Sequence, residues 1–204
     1  MSKHKLNKKT KKNNNTLIYG TIAVIAILVF IVSAFAMTQN TTTETKNTDN
    51  TTSENTQNEG KWLFAMDTDN VQSKYQASAI PTLAIVDTKG DVIFYNRGLH
   101  YKEQLLPYIE SAFDGTGEII AEAPDFTVTT FNDKIFKLSD NEGKVIIIDL
   151  MAEYCDPCVS QMSELKDIKE QYGDEIIIIS IDVAYPNETE SIVRDTFGEY
   201  IKED

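Results

Sequence analysis

From residue 61 onward the apolar positions fall into short runs and helical stripes. The densest run is Val145-Ile-Ile-Ile-Asp-Leu-Met151, bounded by Gly143, and it reads as a buried strand. Ser160–Tyr172 then carries Met162, Leu165, Ile168 and Tyr172 on one helical face, and Gly173 stops it. Glu175–Asp182 is a second isoleucine-rich strand, followed by a helix from about Glu188 to Ile201. Upstream, Trp62–Met66 predicts a strand and Asp69–Ala77 a short helix with an acidic start. Ile80–Val86 is a strand led by proline, Asp87-Thr-Lys-Gly90 a hairpin turn, and Asp91–Tyr95 its partner strand. Tyr101–Phe113 places Leu105, Leu106, Ile109 and Phe113 at helical spacing, with Pro107 either starting that helix or kinking it. Asp114-Gly-Thr-Gly117 closes the unit. The alternation of strands and helices predicts an α/β fold.

The chemistry-bearing residues gather at one junction. Cys155 sits where the Val145–Met151 strand hands over to a helix, and a helix N-terminus offers partial positive charge and free N–H groups to a thiolate. Cys158 lies one turn in, on the same side, within reach of a small disulfide ring. Two cysteines in a single C-x-x-C make no disulfide scaffold. They read as a redox dithiol, with an inert structural disulfide and a metal site as the other readings. Zinc needs four Cys or His ligands, and the only histidines are His4 and His100. No metal and no cofactor is therefore expected.

The stretch Asp149-Leu-Met-Ala-Glu-Tyr-Cys-Asp-Pro-Cys158 resembles the active-site strand and helix of thioredoxin-fold proteins, most of all the extracytoplasmic TlpA-like branch. Ala123-Pro-Asp-Phe126 and Leu138–Ile146 are similar to the lead-in of that branch and of peroxiredoxins. A peroxiredoxin would carry Thr three residues before its reactive Cys and Pro seven before. Ala152 and Ile148 stand there, so peroxidase activity is set aside. The resemblance implies Cys155 as nucleophile, Cys158 as resolving thiol and Asp149 as the buried acid that exchanges a proton with it. For Asp149 the other reading is a strand-end carboxylate in solvent. Lys74–Leu83 is similar to the family's proline loop, which implies a cis Ile80–Pro81 bond. That bond would set the backbone of Ile80 beside Cys155 to pair with substrate. Tyr154 stands where the family has Trp, able to cover the disulfide. Asp156 puts a negative charge next to Cys155, which disfavours the thiolate and tilts the expectation toward a reductant.

The order of the parts is unusual. Residues 61–114 are similar to the second half of a thioredoxin fold and 125–204 to the first half, with 115–124 between them. Each half supplies what the other lacks, so the expectation is a circularly permuted thioredoxin-like fold, a central mixed sheet flanked by helices. A swapped dimer, or a fragment of a tandem-domain protein, would account for the same order.

Residues 1–15 are a Lys/Asn-rich head, and within 16–37 the 21 residues Leu17–Met37 are uncharged and apolar, enough for one transmembrane helix. The basic side is expected in the cytoplasm. A cleavable signal peptide ending near Ala34-Phe-Ala36 is the alternative; the length of the stretch favours an anchor. Residues 38–60 are a Thr/Asn-rich tether too polar to fold. Asn40, Asn50 and Asn187 begin N-x-T acceptor patterns.

Six lysines and no acid precede residue 16, leaving 13 of the 19 basic residues against 32 acidic ones in the rest. So acidic an ectodomain argues against nucleic-acid binding. The expected function is a membrane-anchored, extracytoplasmic thiol–disulfide oxidoreductase acting on disulfide-bearing exported proteins and fed by a membrane or extracytoplasmic electron donor. The alternatives are a non-catalytic thioredoxin-fold binding module, or half-domains that assemble only with a second chain.

Overall fold

The structure is a computed structural model and describes residues 60–203. The expected head and anchor and, but for Gly60, the tether, with Asn40 and Asn50, lie outside the described residues. Among the described residues no helix is long and apolar enough to cross a membrane.

Strands β1 (Leu63–Met66), β2 (Thr82–Val86), β3 (Asp91–Arg97), β4 (Ala121–Glu122), β7 (Val145–Met151) and β8 (Ile176–Asp182) form one sheet in the order β1-β8-β7-β2-β3-β4. β5 (Thr127–Thr129) and β6 (Ile135–Lys137) form a separate hairpin. β7 is central. It runs parallel to β8 and antiparallel to β2, and all seven of its residues are buried. That is why the sequence shows a continuous apolar run there rather than an alternation.

Helices α2 (Lys102–Asp114), α3 (Asp156–Tyr172) and α4 (Glu190–Phe197) cover one face of the sheet. Leu105, Ile109, Met162, Leu165, Ile168, Val193 and Phe197 pack there against Phe64, Leu83, Ile85, Val145, Ile147 and Ile178. The short α1 (Val71–Lys74) and the β5–β6 hairpin cover the other face, where Val71, Tyr75, Val128 and Phe136 meet Ala84, Ile146, Ile148, Ile179 and Ile181. Each buried aliphatic side chain contributes about 1.5–3 kcal/mol relative to exposure.

Four boundaries differ from the sequence pattern. α1 is confined to four residues because Asn70 and Gln76, at its two ends, both take left-handed backbone angles. α2 runs through Pro107; its apolar face is seated on the sheet, and at its start the Tyr101 N–H donates to Gln104 Oε1. α4 ends at Phe197, and Ile201 instead bridges Trp62 in parallel. The 115–124 connection is not a bare crossing: Ala121 and Glu122 pair with Val92 and Asp91 and give the sheet its outer strand.

Candidate functional site

β7 ends at Met151, and after the turn Ala152–Tyr154 the chain enters α3 with Cys155 as N-cap and Pro157 in the first turn. Pro157 lacks an N–H, which costs nothing at a helix start and fixes the helical φ. Cys155 and Cys158 form a disulfide with Cα atoms 5.1 Å apart. The Cys158 N–H donates to Cys155 Sγ at 3.2 Å. In the reduced protein that N–H and the helix N-terminus face whatever charge Cys155 carries. Cys155 is 8% exposed and Cys158 wholly buried, so an incoming sulfur meets Cys155 first. Tyr154 is 69% exposed and projects into solvent more than a cover would.

The Ile80–Pro81 bond is cis. Thr82, the next residue, lies opposite Leu150 in the β2–β7 register, and Ile80 packs against the cluster that holds both cysteines. Thr82 Oγ1 donates to Ala79 O and the Gly98 N–H donates to Pro81 O, which fixes the loop from both sides. The proline loop and the disulfide, about 75 positions apart in the chain, thus border one core cluster.

Asp149 is fully buried, not a strand-end group in solvent. Burial pushes its carboxyl up to about 7, against a lowering hydrogen bond from the Ser180 hydroxyl. It has the parity of Val145, Ile147 and Met151, the β7 side chains in the same core cluster as Cys155 and Cys158.

Three arrangements at the site were not read from the sequence. Trp62 Nε1 donates to Ser180 Oγ, which donates to Asp149 Oδ2. Ser180 interrupts an isoleucine run directly opposite Asp149, and pairing the two strands in register would have exposed it. Asp182, at the end of β8, and Glu188 form a buried acidic pair. Burial and the Glu188 carboxyl raise Asp182 to about 7, and Glu188 Oε2 accepts from the Glu153 N–H in the turn before Cys155. Gln161 on α3 clasps the backbone of His100 through two hydrogen bonds of 2.8 and 3.0 Å. The His100 ring faces the Gly98 carbonyl and Phe94. Among the described residues no cluster of three or more His, Cys, Asp or Glu could hold a metal ion.

Comparison with known proteins agrees with this geometry. The AhpC/TSA family matches residues 119–197, from the edge strand through α4. The thioredoxin-like protein YneN of Bacillus subtilis is 26% identical over 73 residues, 36% of this chain and 43% of that protein. The thiol-disulfide oxidoreductase ResA of Oceanobacillus iheyensis is 33% identical over 85 residues, 38% of this chain and 42% of that one. ResA of Bacillus cereus is 30% identical over 84 residues, 41% and 47%. The central mixed sheet flanked by helices fits a thioredoxin-like fold. The chain spans less than half the length of these curated relatives. No solved structure matches.

Proposed function

We propose that this chain is a membrane-anchored, extracytoplasmic thiol–disulfide oxidoreductase of the TlpA-like type, reducing disulfides of exported proteins through Cys155 and Cys158. The observation that carries the reading is the disulfide at the N-cap of α3, with one sulfur near the surface and the other buried. In the reduced protein the Cys155 thiolate attacks a substrate disulfide and forms a mixed disulfide, releasing one substrate sulfur as thiolate. Cys158 gives its proton to Asp149, and its thiolate attacks Cys155 Sγ. The Cys155–Cys158 bond forms, and the bond to substrate breaks with its electron pair on the second substrate sulfur, which takes a proton from solvent. Ile80 at the cis proline and Tyr154 at the rim are the substrate-binding residues of this scheme. Turnover needs a dithiol donor outside the cytoplasm. Asp156 beside Cys155 disfavours its thiolate, which favours the reducing direction.

The halves of the fold stand in circularly permuted order in this reading. In support, the family match stops at residue 197 and leaves 60–118 uncovered, yet β1 pairs with β8 and β2 with β7 across the two segments. The uncharged stretch Leu17–Met37, with lysines before it, supports the anchor. The test is reduction of insulin disulfides with dithiothreitol by the full chain in detergent. Activity that vanishes in Cys155→Ser is the expected result. A folded wild-type chain with no activity, or with activity that survives the substitution, would favour a binding module.

A further inference from the structure

Asp149, Ser180 and Trp62 are each at most 1% exposed, and they form one chain of hydrogen bonds through the sheet. Ser180 faces Asp149 in the parallel β7–β8 register, and β1, which Trp62 immediately precedes, pairs with β8 on its far side. A serine hydroxyl has one proton to give, whereas an indole N–H can only donate. Trp62 Nε1 lies 2.9 Å from Ser180 Oγ, so Ser180 is the acceptor there. Its own proton is then left for Asp149 Oδ2, at 2.8 Å. Among the described residues Asp149 Oδ1 has no hydrogen-bond partner. The reverse arrangement, with the acid donating from Oδ2, would leave the buried serine proton without an acceptor at a cost of about 1–3 kcal/mol.

We propose that Trp62 and Ser180 are positioning residues for the buried acid: the indole fixes the Ser180 hydroxyl as a donor to Oδ2, and the exchangeable proton of Asp149 is carried on Oδ1. This rests on the reading of Asp149 as the proton partner of Cys158. When Cys158 becomes a thiolate, its proton goes to Oδ1, while the Ser180 proton stays on its own oxygen. The indole belongs to the segment before β1, so the electrostatics of an acid in the 125–203 segment are set by a side chain from the other half. The relay holds the carboxylate in its charged form better than burial alone would, and it removes the choice of which oxygen is protonated.

The test is a pH titration of the aspartate carboxyl carbons by NMR, on the full oxidised chain in detergent with carboxyl-labelled aspartate. In that state neither cysteine titrates. The Asp149 signal is assigned by its disappearance in Asp149→Asn. Asp182, two residues beyond Ser180 on β8, also titrates near this face, with the Glu188 carboxyl beside it, and Asp182→Asn separates the Asp182 signal. Ser180→Ala should raise the Asp149 midpoint by about one pH unit, because a hydrogen bond to the charged form is lost. Ser180→Thr, which keeps the hydroxyl, should restore it. Trp62→Phe should raise the midpoint by less, and should add nothing in the Ser180→Ala background. An unchanged midpoint in Ser180→Ala overturns the proposal. So does an equal Trp62→Phe effect with and without the serine hydroxyl. The kinetic reading fails separately: if Asp149→Asn resolves the mixed disulfide at the wild-type rate, Asp149 is not the proton partner of Cys158, and the titration shifts still stand.

Discussion

The two segments of the described domain contribute differently. Residues 125–203 hold the disulfide, Asp149 and Ser180, and include most of the stretch that the AhpC/TSA family matches. Residues 60–114 lie outside that match, yet they supply the strands on both sides of the β7–β8 pair, the cis proline loop and the indole behind the buried acid. The lesson is that a segment can carry the reactive atoms without carrying the environment that tunes them. β7 is buried because β2 covers one of its edges and β8 the other, and β8 in turn because β1 closes it. Without residues 60–114, β7 and β8 would each expose an unpaired edge.

The largest effects are expected in the reactive segment. Cys155→Ser should abolish disulfide reduction. Cys158→Ser should still attack and should accumulate a mixed disulfide, visible by mass spectrometry; a variant that turns over normally would contradict the assigned roles. Next comes the supporting segment. Trp62 is 1% exposed and stacks on Phe64 and Tyr200. Trp62→Ala should cost about 3–5 kcal/mol by denaturant titration. The loss should appear as one cooperative transition for both segments; separate transitions would mean they fold independently.

A smaller effect joins the two. Asp149→Asn should slow mixed-disulfide resolution by about 100-fold near neutral pH, within the usual range for a positioned general base. The same acid sets a pH dependence of stability. Unfolded Asp titrates near 4, whereas Asp149 and Asp182 are both raised to about 7 in the fold. Between those values the folded protein binds more protons than the unfolded chain. Stability therefore falls as pH rises from about 4 to 7, each acid contributing on the order of 2–4 kcal/mol. Asp182→Asn should flatten that slope in urea titrations across the window, and an unaltered slope would remove Asp182 from the account. The smallest effect is at Gly115, the left-handed residue that ends α2 with φ 63°. Gly115→Ala should cost about 1 kcal/mol by thermal unfolding, since only glycine takes that φ without strain.

Much of the fold was legible because its elements are strongly periodic. The continuous apolar run of β7, the stripe of α3 and the proline before β2 each announce a local structure that the packing then keeps. The disulfide was legible for the same reason: strand, turn and helix N-terminus are consecutive in the chain. What was hidden depends on register between distant strands. Trp62 and Ser180 are 118 positions apart, and nothing in either neighbourhood shows that they meet. The Asp182–Glu188 pair was masked because Asp182 reads as an ordinary polar strand end, yet the 184–189 loop folds back and buries it. β4 was hidden because two residues in a connection give no periodicity at all.

Whether both segments of one chain build one redox site is decided by the specific activity of insulin disulfide reduction, measured for the full chain in detergent over a broad dilution series, with the mass of the protein component followed in parallel. Closure within a single chain predicts constant activity per molecule and a monomer throughout. Activity that falls on dilution together with a dimer would mean that each site borrows its proline loop and its indole from a second copy.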